Sequence, residues 1–199
     1  GLYSLTVPTG GGKTLSAMAF ALSHAIQHQM NRIIVAVPFT SITEQTAQVY
    51  REVLRDQEDP LGNDPIILEH HSGALDAAES DEDYHRSREW QRLASENWDA
   101  PVVVTTTVQL FQSIFGRAPS TSRKLHRLAR SIIILDEAQS LPSHLLSPIL
   151  DVLRQLARHY GCTIVISTAT QPAFAAIPAF ADFQAKEIVP DPSSFFKQL

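Results

Sequence analysis

Short runs of β-branched and apolar residues punctuate the chain at intervals. They are Leu2–Val7, Arg32–Val37, Ile66–His70, Val102–Thr105, Ile132–Leu135 and Thr163–Ser167. Most are apolar at successive positions instead of alternating ones, as parallel strands covered on both faces must be. Longer stretches with helical periodicity separate them: Lys13–Gln29, Ser41–Arg55, Asp81–Glu96, Val108–Phe115, Arg123–Ala129 and Leu145–Tyr160. This alternation predicts an α/β domain, a doubly wound and mostly parallel sheet with helices on both faces. Ligands of such sheets sit beyond the carboxyl ends of the strands. The closing stretch, Gln171–Leu199, is broken by Pro172, Pro178, Pro190 and Pro192 and reads as less regular.

Composition narrows this picture. At 199 residues, 44% hydrophobic and 19% charged, the chain can bury one substantial core. Its single cysteine, Cys162, excludes an internal disulfide framework or a multi-cysteine zinc cluster and suits a reducing, cytoplasmic setting. No apolar run reaches transmembrane length, so no membrane partner is expected. The strand-like opening at Leu2 fits a piece of a longer protein.

A net charge of −5 argues against a generally basic surface for gripping duplex DNA. The charge is uneven. Acids crowd Asp76–Asp99, whereas Arg117, Arg123, Lys124, Arg127 and Arg130 follow one another with no acid between them. Helical spacing would place Arg123, Arg127 and Arg130 on one face, either solvated or in contact with DNA or a partner.

Candidate chemistry begins at Pro8-Thr9-Gly10-Gly11-Gly12-Lys13-Thr14, between a strand and a helix. Glycines let the backbone curl so that several N–H groups face a phosphate, and the helix start adds its positive dipole end. Lys13 can reach the β- and γ-phosphates of ATP, and the Thr14 hydroxyl can hold Mg²⁺. The usual consensus has a glycine where this chain has Val7, a position that helicase-like loops relax. A second signal is the apolar run Ile132–Leu135 followed by Asp136 and Glu137. Adjacent carboxylates at a buried strand end are costly without a cation. Mg²⁺ shared by Thr14 and Asp136 would supply one, with Glu137 orienting and deprotonating the attacking water. No lid or acceptor site of a small-molecule kinase is evident, so hydrolysis that drives motion is the expected use.

These motifs resemble superfamily 2 helicases of the DExD/H-box group. Thr9–Thr14 is similar to motif I, Asp136–Gln139 to motif II and Thr168-Ala169-Thr170 to motif III. Pro38-Phe39-Thr40-Ser41 looks like motif Ia, and Thr105-Thr106-Thr107 stands at motif Ib. Within that group, Val7–Thr14, Val37–Ile42, Leu68-Glu69-His70-His71-Ser72, Leu135–Pro142 and Thr168–Pro172 resemble the CRISPR-associated helicase–nuclease of type I systems. The resemblance runs from about Leu2 to Ala173.

It implies the first of two RecA-like lobes over 1–185, with 186–199 leaving toward a second lobe. It further implies a motor on single-stranded DNA that unwinds target DNA in antiviral defence. Its partners would be an RNA-guided surveillance complex and an HD-type nuclease domain of the same protein. The site residues that follow are Lys13, Asp136, Glu137 and Gln139 for catalysis, with Thr9, Gly10, Gly11, Gly12, Lys13 and Thr14 on the nucleotide. Thr168 and Thr170 would couple hydrolysis to movement. Pro38, Phe39, Thr40, Ser41, Thr105 and Thr106 would lie on the nucleic acid. An RNA helicase or a restriction-type translocase remains the alternative. Arginines of the second lobe are expected to supply much of the rate, so this lobe alone should bind nucleotide weakly and hydrolyse it negligibly.

Other residues invite blander readings. The motif Ia and Ib hydroxyls could grip phosphates or merely cap the following helices. His24 and His28 read as surface or packing histidines, Cys162 as a small apolar filler, and Trp90 and Trp98 as core anchors. Of His70 and His71, at most one should point toward DNA.

Overall fold

A computed structural model describes residues 1–8, 10–54, 66–71, 93–118, 123–169 and 185–189. Among them are seven strands: β1 (Leu2–Thr6), β2 (Arg32–Val37), β3 (Ile67–His70), β4 (Val102–Thr106), β5 (Ser131–Leu135), β6 (Thr163–Thr168) and β7 (Lys186–Glu187). The helices are α1 (Lys13–His28), α2 (Thr40–Val53), α3 (Thr107–Phe115), α4 (Leu125–Leu128) and α5 (Leu146–His159). Two compact units emerge, one of Gly1–Ile33 with Leu128–Leu199 and one of Ile34–Arg127.

In the first unit the strands lie in the order β5-β6-β1-β7, and each neighbouring pair is parallel. Ile132, Ile133, Ile134 and Leu135 are all buried, as are Ile164, Val165 and Ile166 beside them. Consecutive burial is what the unbroken apolar runs predict for strands covered on both faces. α5 buries Leu146, Ile149, Leu150, Leu153 and Leu156, a stripe of helical spacing that packs on β6. Pro148 is tolerated there because it sits in the first turn, where no intrahelical donor is needed. Gly161, at φ 65, turns the chain from this helix into β6.

The boundary expected at 185/186 falls inside this unit. Lys186–Glu187 pair with β1, and the Glu187 carboxylate accepts from the Ser4 and Thr6 hydroxyls, both at 2.9 Å, and from the Thr6 amide at 3.1 Å. Those hydroxyls make a two-residue edge strand possible. Neither its length nor its composition announces it.

In the second unit the order is β3-β4-β2, with β3 and β4 parallel. α2 buries Thr43, Thr46, Ala47 and Tyr50 and packs on β3 and β4. Trp98 is fully buried, as a core anchor should be. Its indole N–H donates to His70 Nδ1 at 3.2 Å, which leaves Nε2 to carry the proton of the neutral ring. Lys124 Nζ lies 3.4 Å from that nitrogen and 5.5 Å from the Trp98 ring centroid. Two groups with protons to give thus face each other. Burial first, then the Lys124 charge and His71, push the His70 pKa down to about 4.

The arginine face does not form. α4 is only four residues long; Arg123 precedes it, and Arg130 follows it in a left-handed turn at φ 55 that leads into β5. Arg123 pairs with Glu96 and Arg127 with Asp99, each at 3.1 Å, and Arg130 donates to the Gln29 carbonyl at 2.9 Å. Of the helix expected over Asp81–Glu96, only residues 93–96 are described, and they are helical; Trp90 lies outside the described residues.

Two outcomes test this packing. Ile134→Ala should lower the unfolding free energy by about 2–5 kcal/mol, read as a fall in urea midpoint at unchanged slope. For His70, the folded pKa lies below the unfolded 6.5, so its contribution is complete above pH 6.5 and is lost as pH falls toward 4. Denaturant titrations should show a loss of order 2–3 kcal/mol over that window, most of it abolished by His70→Gln.

Candidate functional site

The phosphate loop bends where its glycines allow it. Gly10 (φ 84) and Gly12 (φ 74) are left-handed, and the Gly11 amide donates to the Pro8 carbonyl at 3.0 Å. α1 starts directly after Gly12, and Ser16 N donates to Gly12 O at 2.9 Å. The amides before Ser16 therefore stand at a helix start, the place where N–H groups collect an anion. Thr9 lies outside the described residues.

Lys13 is nine-tenths buried, and its ammonium turns toward the end of β5. Nζ is 3.2 Å from Asp136 Oδ1 and hydrogen-bonds Glu137 Oε1. Asp136 Oδ1 also accepts from Ser167 Oγ and from the Glu137 amide, both at 3.0 Å. Glu137 is left-handed at φ 48, a conformation costing roughly 1–3 kcal/mol that a non-glycine residue adopts only when its surroundings fix it. Lys13 and Gln139 do that fixing. Gln139, in the 3₁₀ turn Ala138–Ser140, donates Nε2–H to Glu137 Oε2. Its Oε1 accepts from the Thr168 hydroxyl at 3.0 Å.

A hydrogen-bonded chain thus runs from Lys13 through Glu137 and Gln139 to Thr168. The expected residues of motifs I, II and III meet in the first unit; Thr170 lies outside the described residues. Ser167 belongs with them and has no counterpart among the sequence expectations. The β5–β6 register pairs Leu135 with Ile166, so the next residues on the two strands, Asp136 and Ser167, stand side by side. Only the order of strands reveals that neighbour.

The donor set suits a divalent cation. One ammonium faces two carboxylates whose side chains are 14% and 29% exposed, so formal negative charge is left over. Hard oxygen donors of this kind, with the Thr14 hydroxyl at the start of the facing helix, match the preferences of Mg²⁺.

The nucleic-acid candidates divide. Thr40 and Ser41 are exposed at the start of α2. Ile42 and Thr43 make its first amide bonds, both to Phe39 O at 3.2 Å. Phe39 is 62% exposed and extended, and Pro38 is half-buried. Thr105, in contrast, is fully buried and donates to the His70 carbonyl at 2.7 Å. Thr106 caps α3 by accepting from the Gln109 amide at 3.2 Å. Thr105 thus gives its O–H proton to the fold, whereas Thr106 lends the cap only an acceptor lone pair.

His24 and Cys162 are held by internal contacts. His24 Nε2 lies 3.0 Å from Thr163 Oγ1, and its ring packs among Tyr3, Phe20 and His28. The Cys162 thiol donates to the Leu128 carbonyl at 2.9 Å, and burial pushes its pKa up. Among the described residues no helix is long and apolar enough to cross a membrane.

Known proteins place this geometry. The CRISPR-associated nuclease/helicase Cas3 of Haloferax volcanii is 30% identical over 185 residues, 86% of this chain and 19% of that protein. The chain thus spans about a fifth of the length of the curated relative it matches. The crystal structure of T. fusca Cas3-AMPPNP superposes with a TM-score of 0.65 at 20% identity, covering 95% of this chain and 22% of that one. The DUF1998 helicase MrfA bound to DNA and AMPPNP gives 0.62 at 16% identity, with 96% and 25% covered. These superpositions bear out the RecA-like α/β fold. A family model described as DEAD/DEAH box helicase matches residues 3–177, and the chain belongs to that family.

Proposed function

We propose that the chain is the ATP-binding lobe of an ATP-dependent motor that moves along single-stranded DNA and unwinds target DNA in CRISPR interference. The observation that carries this reading is the convergence of Lys13, Asp136, Glu137, Gln139 and Thr168 at the carboxyl ends of β5 and β6, beside the phosphate loop. The likeness to Haloferax volcanii Cas3 supports the CRISPR assignment.

In this reading the amides of Gly10–Thr14 receive the phosphates, and Lys13 exchanges its acid partners for the β- and γ-phosphate oxygens. Thr14 and Asp136 hold Mg²⁺, which when bound offsets charge on the phosphate oxygens. Ser167 and the Glu137 amide orient Asp136 for that task. Glu137, released by Lys13 but still held by Gln139, accepts the proton of the attacking water. Thr168 follows Gln139 and passes its position on to the DNA-binding parts. Thr40 and Ser41 grip a backbone phosphate at the start of α2, without reading bases. A second RecA-like lobe supplies arginines, an HD nuclease domain accompanies it, and a surveillance complex recruits the whole.

In the full-length protein, Lys13→Ala should abolish ATP binding. Glu137→Gln should keep binding and lower hydrolysis by about 10²–10⁴-fold. The chain alone should show weak ATP binding and negligible turnover, since second-lobe arginines are worth roughly 10³–10⁵ in rate. DNA-stimulated hydrolysis that survives Lys13→Ala would sink the proposal, and stronger stimulation by RNA than by single-stranded DNA would favour an RNA helicase. Ser167→Ala tests the orienting contact. It should weaken Mg²⁺-dependent ATP binding by about 10–100-fold, as lost support behind a metal ligand does, and leave the urea midpoint nearly unchanged. Equal affinity in the two proteins would remove Ser167 from the site.

A further inference from the structure

Away from the phosphate loop, in the second unit, three potential metal ligands from two elements converge. They are Glu44 on α2, Glu69 on β3 and His71 just after it, with one donor atom of each lying within 4.8 Å of the others. His71 Nε2 is 2.9 Å from Glu69 Oε1 and 3.8 Å from Glu44 Oε1. Its side chain is only 4% exposed, whereas Glu44 is 67% exposed, so the group opens to solvent along one side. We propose that Glu44, Glu69 and His71 form a binding site for a divalent transition metal of the Zn²⁺ class.

The distances suit that ion. Bonds of about 2.0–2.2 Å at a tetrahedral centre put neighbouring ligand atoms about 3.4 Å apart. The two separations around His71 Nε2 bracket this value and the third is no more than 4.8 Å, so side-chain shifts of up to about an ångström seat a metal. Most of the adjustment falls to Glu44, the exposed and adaptable partner. One imidazole with two carboxylates is a mixed nitrogen and oxygen set, which favours zinc-like ions over Mg²⁺ or Ca²⁺. A water completes the fourth position from the open side. Arg51 supports the arrangement, since its guanidinium takes Glu69 Oε2 at 3.0 Å and presents Oε1 toward His71. A bound metal would tie α2, which begins with Thr40 and Ser41, to the end of β3 within the same unit.

The test uses the chain stripped with a chelator and kept in excess Mg²⁺, so that oxygen-only sites are already filled. Zn²⁺ titrated by calorimetry should bind at one equivalent, and Co²⁺ should give the visible absorption of a tetrahedral centre. Zn²⁺ should also raise the melting temperature. Glu44→Ala, at an exposed position, should keep the metal-free melting temperature, weaken Zn²⁺ binding by about tenfold or more and abolish the Co²⁺ bands. Arg51→Ala should weaken binding less. His71→Gln should abolish it, and because that variant could unfold, Glu44→Ala is the deciding one. No Zn²⁺ binding by the wild-type chain, or binding left unchanged by Glu44→Ala, overturns the site.

Discussion

Two carboxylates at the end of a fully buried strand need a cation, and the first unit is arranged around meeting that need. β5 delivers Asp136 and Glu137 from an apolar interior in which Ile132 to Leu135 have no contact with water. Leaving them unpaired would cost several kcal/mol, because few water dipoles reach them. Lys13 answers from the opposite side, projected by a helix that can start there only because Gly12 accepts a left-handed turn. The loop, the strand and the turn after it are therefore one electrostatic unit. That shared dependence also makes the proposed site responsive: the ammonium that neutralises the acids is the same group proposed to bind phosphate, so it cannot fully satisfy both at once.

The second unit solves a different problem with the same materials. Around His70 and Thr105, at the ends of β3 and β4, polar groups satisfy one another. Thr105 secures the His70 carbonyl, Trp98 fixes the His70 tautomer, and Lys124 faces the protonated nitrogen at a distance that disfavours a second proton. A hydroxyl used in this way is not available to a ligand, whatever its place in a motif. Residue type at motif Ib could not distinguish grip from cap. The 2.7 Å bond to His70 O takes the Thr105 proton, whereas the capping bond from Gln109 N takes only a lone pair of Thr106. The hydroxyls of Thr40 and Ser41, proposed to meet a backbone phosphate, lie exposed at the start of α2.

What could be read from the chain, and what could not, follows the range of the interactions involved. Six strands and most helices were legible within a residue or two, since consecutive burial leaves an unbroken apolar run and α5 a stripe of helical spacing. The phosphate loop and the acid pair were legible because their chemistry depends on adjacent residues. Ser167 was hidden: its partner Asp136 lies 31 positions away, and the two meet only through the β5–β6 register. β7 was hidden for the same reason, as Glu187 is held by hydroxyls more than 180 positions earlier. The basic run misled because helical spacing was assumed to persist, whereas Glu96 and Asp99 claim two of its arginines and the turn at Arg130 ends the helix.

The hydrogen-bonded chain from Lys13 to Thr168 gives the proposed coupling a physical form. Contiguity alone transmits nothing; a relay needs one member with two alternative partners. Lys13 is that member in the proposed cycle, paired with Glu137 here and with phosphate when nucleotide enters. Glu137 is fixed from both sides in a left-handed conformation that costs free energy, and removal of the Lys13 contact leaves Gln139 as its remaining side-chain anchor among those described. Any rearrangement of Gln139 must then be met by Thr168, whose hydroxyl donates to the other end of the same amide. A rigid planar amide between an acid and a strand-end hydroxyl cannot turn for one without changing the other. The coupling proposed for motif III therefore requires no contact between Thr168 and the nucleotide, only the integrity of Gln139.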